Sequence, residues 1–401
     1  MKRFDVLVIG GGPAGATAAA LLAKAGWSVA VAEKSVFPRD KVCGGFLAAT
    51  SSPLLEELGL GELFAGCAGP EIRTVALFAG SSQLAAQMPA APAPCRPFGR
   101  AMRREDFDAM LLARAAHFGA TIYQPWSVGA VQKEHDGFRC LVRGANQELR
   151  ARLVIAAHGS WLPGSLATQP RHGAARPSDL IGFKTHFRGA ALPSHVMPLL
   201  AFPGGYGGLV NTDGGRCTLS FCVRRDVLAS CRSRHPQASA GEALLAHIAQ
   251  TCTGLHLALR RAVREGPWLA AGPIRPGVRR FFSDGVFVIG NAAGEAHPAI
   301  AEGIGMAMQS AVILCRALLE EPRLTRDARE ASIAYRRRWR AQFGLRVLAS
   351  ALFAQIAMRP RAIAVSERLM RRAPRLLAFC ARLSGKARFD AAAENKRGRG
   401  R

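Results

Sequence analysis

Between residues 4 and 33 the chain reads Phe4-Asp5-Val6-Leu7-Val8-Ile9, then Gly10-Gly11-Gly12-Pro13-Ala14-Gly15, then an alanine-rich stretch ending at Gly26, then Ser28-Val29-Ala30-Val31-Ala32-Glu33. Val6 to Ile9 is a short apolar run bounded by glycine, the pattern of a strand buried on both faces. Gly10, Gly12 and Gly15 make the G-x-G-x-x-G spacing. Gly10 permits the tight turn, Gly12 lets the backbone approach a pyrophosphate, and Gly15 lets the helix lie close on the strand. Pro13 falls where a helix begins and its missing N–H costs little. Ala16 to Ala25 reads as that helix, with Gly26 as its stop. Its N-terminus offers unpaired N–H groups and the positive end of a dipole to a diphosphate. Glu33 follows Gly15 by 18 residues, where a carboxylate can accept both hydroxyls of an adenosine ribose. The unit predicts a Rossmann-like α/β domain that binds a dinucleotide. Lys2-Arg3 before apolar and small residues mimics a signal peptide, but Asp5 and the glycines interrupt its apolar core.

At 401 residues the chain has room for two or three domains, and with 49% hydrophobic residues it is not disordered as a whole. Its ten cysteines show no C-x-x-C pair and no metal-type spacing, which reads as reduced thiols in a cytoplasmic protein. There are 54 basic against 28 acidic residues, a formal charge of +26. Such a balance attracts polyanions, although an arginine-rich composition explains the same number. No nucleic-acid-binding motif is visible, so an anionic membrane surface is the better candidate partner and nucleic acid is not expected. No uninterrupted apolar stretch is long enough to span a bilayer.

Further along, Phe37 to Gly45 is a loop. Ser51 is expected to cap a short helix through Leu58, and Ile72 to Phe78 is a strand. Arg103 to Asp108 leads into a helix that runs to about His117, with Leu111, Leu112 and Ala115 on its apolar face. Strands are read at 121–123, 127–132, 138–142 and 153–157. Residues 180–225 alternate as strands with glycine turns between them, an antiparallel sheet of a second domain. Helices follow at 240–251 and 256–263, a buried strand at 286–290, a loop at 291–305, and a helix at 306–319. Asp213 and Asp284 read as turn formers. Residues 326–385 read as arginine-rich helices. Arg371 to Arg375 and Arg382 to Lys386 leave apolar faces beside basic ones, which suits a membrane surface; an ordinary helical cap on the core suits the pattern somewhat better. Residues 391–401 are polar, charged and expected to be disordered.

Four stretches occur in order: Gly10 to Glu33; Arg104-x-x-Phe107-Asp108 with Leu111; Ala156-Ala157-His158-Gly159; and Gly290-Asn291-Ala292-Ala293-Gly294 followed by Pro298, Glu302 and Gly303. Together they resemble the flavoprotein superfamily of aromatic-ring hydroxylases and geranylgeranyl reductases. The resemblance implies FAD as cofactor and a GR2-type fold: a Rossmann-like FAD-binding domain, an antiparallel substrate domain and a helical C-terminal cap. The corresponding division is 1–70 with 101–165 and 275–325 for FAD, 71–100 with 166–274 for substrate, 326–390 for the helical segment and 391–401 for a basic tail. It places Gly10, Gly12, Pro13, Ala14, Gly15, Glu33, Lys34, Cys43, Gly44, Arg104, His158, Gly159, Gly290, Asn291, Pro298, Glu302, Gly303 and Ile304 around the cofactor. Arg104 would pair with ribose or pyrophosphate oxygens. The N-terminal N–H groups of the helix that follows Gly303 and Gly305 would stabilise charge on the reduced flavin edge.

Two positions depart from the superfamily, where His158 and Asn291 stand in place of aspartates. Asn291 can still hydrogen-bond a ribityl hydroxyl. His158 bears on how NAD(P)H is used, and it reads as a hydrogen-bonding loop residue rather than a catalytic base. Lys41-Val42-Cys43-Gly44-Gly45 is similar to the geranylgeranyl reductase branch. Of that branch's aromatic motif only Phe202-Pro203 remains, and the tryptophan motif of flavin halogenases is absent. Cys43, Tyr206 and Phe202 are the candidate catalytic residues, with Phe202 to Gly208 expected to line the pocket over the flavin; for Cys43 and Tyr206 an ordinary packing role is the alternative. Glu295 and His297 face either the pocket or a plain loop. The resemblance implies an FAD-dependent oxidoreductase acting on a bulky hydrophobic lipid or aromatic lipid. An NAD(P)H-dependent hydroxylase is favoured over a C=C reductase of a lipid, and both over a non-catalytic flavin-binding membrane adapter.

Overall fold

The computed structural model describes residues 3–144, 146–160, 163–169, 173–320 and 328–372. The tail 391–401, the basic stretch Arg382 to Lys386 and all but the start of Arg371 to Arg375 lie outside them, as does Trp161.

The first strand, Arg3–Ile9, runs parallel to both Val29–Ala32 and Glu148–Ala156, and the latter runs parallel to Val286–Val288. Thr121–Tyr123 extends the same sheet beyond Val29–Ala32. The register places Ile9, Ala32, Ala156 and Val288 along one edge, so the carboxyl ends of four strands open on the same side. Helix α1 (Pro13–Lys24) crosses from the first strand to the second and is buried from Pro13 to Ala23. Alanine makes that burial possible, because a small side chain lets a helix lie close on a sheet. After Glu33 come a 3₁₀ turn, Ala49–Ser51, then α2 (Ser52–Glu57) and α3 (Gly61–Cys67). Ser51 belongs to the 3₁₀ turn and makes no side-chain cap, which corrects the sequence reading. Helix α4 (Arg104–His117) turns Phe107, Leu111, Leu112 and Ala115 into the core.

The second sheet has seven strands in the order Val263–Ile274, Leu180–Arg188, Cys217–Arg224, Gly205–Asn211, Val196–Phe202, Thr74–Ala79, Ser82–Gln87. It is antiparallel apart from one parallel pair, Val196–Phe202 with Thr74–Ala79, whose strands arrive from distant parts of the chain. Helices α5 (Arg225–Arg234), α6 (Ala240–Thr251) and α7 (Thr253–Leu259) adjoin this sheet, with Leu244, Ile248 and Leu255 buried against it. Residues 263–274 form the longest strand of the sheet, where the sequence suggested no strand. All of its residues but Ile274 are exposed or half-exposed, so no apolar alternation marks it.

Helix α8 (Gly303–Glu320) packs on α1 and is apolar on nearly every face. It is long and apolar enough to cross a bilayer, but 78% of that window is buried inside the protein, so it serves as a core helix. Helix α9 (Ala328–Ala357) lays Tyr335, Trp339 and Phe343 on the core, where Phe281 meets Tyr335 and Trp339 edge-on. Helix α10 (Pro360–Arg372) follows after a bend of 106°. The α/β architecture with a second sheet and a helical C-terminal region agrees with the fold class read from the sequence.

Candidate functional site

One cavity of about 430 Å³ lies where the carboxyl edge of the first sheet meets the inner face of the second. Its walls show why the glycines stand where they do. Gly10 has φ +107°, and a Cβ there would fall 2.6 Å from the Ala157 carbonyl oxygen. A Cβ on Gly15 would fall 1.8 Å from the Gly10 carbonyl oxygen, so only glycine lets α1 start this close to the strand. Gly12 differs from both. Its nearest neighbour to an added Cβ is the Arg39 guanidinium at 3.9 Å, so its backbone faces the cavity. Gly303, at the start of α8, is likewise open on that side.

Charge converges on the Gly12 turn. Asp108, fully buried on α4, accepts a two-point hydrogen bond from Arg104 at 2.8 and 2.7 Å and a longer one from Arg39 at 3.3 Å. One carboxylate thus holds two guanidiniums at the cavity wall. Burial and then the charges of Arg104 and Arg39 lower the Lys41 ammonium to about 8. Burial, partly offset by the Glu33 charge, lowers Lys34 as well. Glu33 is buried at the end of its strand, accepting from the Gly11 N–H at 2.7 Å and the Ser35 N–H at 3.0 Å. Each of its oxygens keeps a lone pair for a ribose hydroxyl.

The second sheet is tied to this loop by a buried ion pair. Lys184, 1% exposed, donates to Asp40 at 2.5 Å, and His186 lies 3.6 Å from the same carboxylate while Thr218 holds its other nitrogen. Burial pushes the Asp40 carboxyl up, but hydrogen bonding to His186 and the charge of Lys184 outweigh it and hold Asp40 below the usual range. Asp40, Lys41, Val42, Cys43, Gly44 and Gly45 all line the cavity. The Cys43 sulfur accepts from the Gly45 N–H at 3.5 Å and also faces Arg104.

At the other end Glu295 is the hub. It accepts from Ser160 at 2.7 Å, Asn291 at 2.9 Å and Arg279 at 3.3 Å, and burial raises its carboxyl above the usual value. Tyr206 lies 3.1 Å from His297 Nδ1. Burial keeps the Tyr206 hydroxyl protonated and lowers His297 to about 4. His158 sits beside the cavity with Nδ1 on the Gly159 carbonyl at 2.8 Å and Nε2 near Thr168 Oγ1 at 3.0 Å. A carbonyl can only accept, so Nδ1 carries the proton and Nε2 accepts from the threonine. Burial lowers His158 to about 4, so it stays neutral at pH 7.

Of the residues read from the sequence, Gly10, Gly12, Pro13, Ala14, Glu33, Lys34, Cys43, Gly44, Arg104, His158, Gly159, Tyr206, Gly290, Asn291, Pro298, Gly303 and Ile304 line this one cavity. Three do not. Gly15 acts beneath it through helix packing. Glu302 is buried next to it and exerts its charge on Arg346 of α9. Phe202 is corrected outright. It points to the far face of its strand, into the core with Phe221 and His247, while Met197 and Leu199 of the same strand face the cavity. Asn291 spends its amide on Glu295, leaving its oxygen for a hydroxyl. Sequence reasoning missed Arg39 and the Lys184–Asp40 pair altogether. The only signal for them was Arg39-Asp40-Lys41, three charges in a loop otherwise built of apolar and small residues.

These residues fit FAD. Backbone open at Gly12 and cations at Arg39, Lys41 and Arg104 suit a diphosphate, Glu33 suits the ribose, and the α8 N-terminus suits an electron-rich ring edge. Comparison with known proteins agrees. An FAD binding domain model matches residues 3–349. The menaquinone reductase of Mycobacterium tuberculosis is 33% identical over 162 residues, covering 40% of this chain and only 38% of that protein. Ubiquinone hydroxylase UbiL of Rhodospirillum rubrum is 26% identical over 352 residues, 81% of this chain and 75% of that one. Among solved structures, the flavin-dependent brominase Bmp2 superposes with a TM-score of 0.75 at 18% identity, over 97% of this chain and 95% of that one, which is a likeness of fold. The chain belongs to the FAD binding domain family, within the superfamily of aromatic hydroxylases and geranylgeranyl reductases.

Proposed function

We propose that the protein hydroxylates a bulky apolar substrate, an aromatic lipid with an isoprenoid tail, using NAD(P)H as reductant. One observation carries this reading: the FAD residues and the apolar inner face of the second sheet line a single cavity, with Met197, Leu199, Val210, Cys222 and Ile274 on the substrate side. An apolar wall of this kind gains from each methylene it covers and makes few polar demands on its ligand. The names of the ubiquinone hydroxylase and menaquinone reductase relatives point to quinone-type lipids of the same chemistry.

Bound FAD would supply electron transfer from NAD(P)H and the activation of oxygen. The chain's own residues do the rest. Arg39, Arg104 and Lys41 hold the diphosphate, and Glu33 holds the ribose. The Lys184–Asp40 pair keeps the Cys43–Gly45 loop against the second sheet and so sets the height of the cavity. Tyr206, protonated and backed by the neutral His297, is the proton donor positioned in the apolar part.

A second reading is reduction of a C=C bond, favoured by Cys43, Gly44 and Gly45 lining the cavity as in the reductase branch. Mixing FAD-loaded protein with NADPH or NADH, in air and without oxygen, in the presence of a short-chain quinone separates them. Rapid flavin bleaching by NAD(P)H with an oxygen atom gained by the product supports the hydroxylase. Flavin that is reduced only by dithionite or a ferredoxin-type donor supports the reductase, and absence of flavin absorbance after FAD is added overturns both.

A further inference from the structure

Helix α9 has two faces with different tasks. Tyr335, Trp339, Phe343, Arg346, Ser350 and Ala354 recur at three- and four-residue spacing and are buried. Ser350 accepts from the His297 N–H at 2.9 Å, and Tyr335 shares a hydrogen bond with Ser310 of α8 at 2.8 Å. The opposite face carries Leu345, Leu348 and Leu352, between 63 and 72% exposed. On α10, Val365 and Leu369 are 64 and 55% exposed. Six of the twelve large apolar side chains exposed among the described residues fall on these two helices, Ile333 being the sixth. Scattered exposed leucines need no explanation, but leucines repeated along one helix face do.

The charge carried by these two helices is mainly positive. Arg336, Arg337 and Arg340 are exposed on the first half of α9, and Arg359, Arg361, Arg368 and Arg372 are exposed around the bend and along α10. Between residues 328 and 372 the only acids in the sequence are Glu330 and Glu367. Exposed leucines beside arginines are the composition of a helix that lies in the interface of an anionic bilayer, the leucines among acyl chains and the guanidiniums at headgroup phosphates.

The bend between the helices is seated on the cavity wall. The Gly204 N–H donates to the Met358 carbonyl at 3.1 Å. Ala354, Ala357 and Met358 pack with Tyr206 and Cys222, and Ala357 and Ile363 pack with Leu199 and Ala201. Tyr206 and Leu199 line the cavity.

We propose that the exposed faces of α9 and α10 dock the protein on an anionic lipid bilayer, which places the roof of the cavity at the membrane surface. This rests on the proposed apolar substrate only for its purpose, since a lipid substrate would then be taken up from the bilayer; the docking stands on the surface itself.

The test is co-sedimentation of full-length, FAD-loaded protein with vesicles of phosphatidylcholine, with and without phosphatidylglycerol. The expected result is binding to the phosphatidylglycerol vesicles, weak binding to phosphatidylcholine alone, and weakening by salt. The variant L345E/L348E/L352E should keep its melting temperature and flavin absorbance and lose about tenfold or more in vesicle affinity. V365D/L369D should lose less, because fewer leucine-sized groups are withdrawn. Wild-type protein that stays in the supernatant overturns the proposal. So does an L345E/L348E/L352E variant that binds as the wild type does, since charge elsewhere would then be sufficient. A wild-type dimer that this variant converts to a monomer assigns the face to a second copy and overturns it as well. Turnover of a detergent-solubilised quinone reads the proposed function separately: vesicle binding without such turnover fails that reading and leaves the docking intact.

Discussion

The first strand–helix–strand unit and the seven-stranded sheet face the same cavity, but they are built by different means. In the first unit, backbone makes the site. Gly10, Gly12 and Gly15 are there because a Cβ would strike a carbonyl oxygen or intrude on a diphosphate. In the second sheet, side chains make the site, and what matters is which face of each strand points inward. Met197 and Leu199 face the cavity while Leu200 and Phe202, one residue out of step, fill the core beneath α6. Where backbone does the work the residue type announces the role, and where facing does the work it does not.

The largest effect that would test this contrast lies within one motif. Gly15→Val should destabilise the fold by about 4 kcal/mol or prevent folding, since its Cβ has no room. Gly12→Val should leave the melting temperature of the FAD-free protein unchanged and weaken FAD binding by about 100-fold. Thermal unfolding and flavin titration read both, and equal loss of stability in the two would break the division of labour between the glycines.

Lys41 should produce a smaller effect that depends on pH. Its ammonium sits near 8 without cofactor, and a diphosphate favours the charged form. FAD affinity should therefore fall as pH rises through 8 and beyond, and binding near pH 8 should take up protons. Lys41→Met should bind FAD about tenfold more weakly at pH 7 and show a flatter pH profile. A profile unchanged by the substitution would remove Lys41 from the cofactor's binding group.

The facing of Val196–Phe202 is tested by a pair of substitutions. Leu199→Trp should raise the KM for a short-chain quinone with little loss of stability. Phe202→Leu should cost about 1 kcal/mol in urea unfolding and leave KM alone. The reverse pattern would restore Phe202 to the pocket.

The smallest expected effect concerns the two neutral histidines. His158 and His297 titrate near 4 in the folded protein and near 6.5 when unfolded. Between these values the unfolded chain binds more protons, so stability falls as pH drops from about 6.5 to about 4 and is recovered above 6.5. His158→Asn should make this slope shallower, measured as urea midpoints across that range. An unchanged slope would mean that His158 is charged in the folded protein.

Much of the cofactor end was legible because it depends on local rules. The helix stop at Gly26, the tight turn at Gly10 and the helix that ends at His117 each follow from residues within a few positions of one another. The Ser51 cap failed because a 3₁₀ turn took the residue, a competition that spacing does not reveal. The strand at 263–274 failed because its exposed and half-exposed residues carry no alternation. Arg39 could not be weighed without Asp108, 69 positions away, which holds it beside Arg104.

By itself the sequence determined the α/β class, the dinucleotide turn and the glycines that form it, because steric exclusion of a Cβ is a property of one residue and its immediate backbone. Only the tertiary structure decided that Lys184 meets Asp40 across the two sheets, that Phe202 turns away from the cavity, and that α9 covers the core with one face and leaves its leucines on the other. Each of those depends on register and packing between segments far apart in the chain, and burial is a relation between surfaces that no single segment carries.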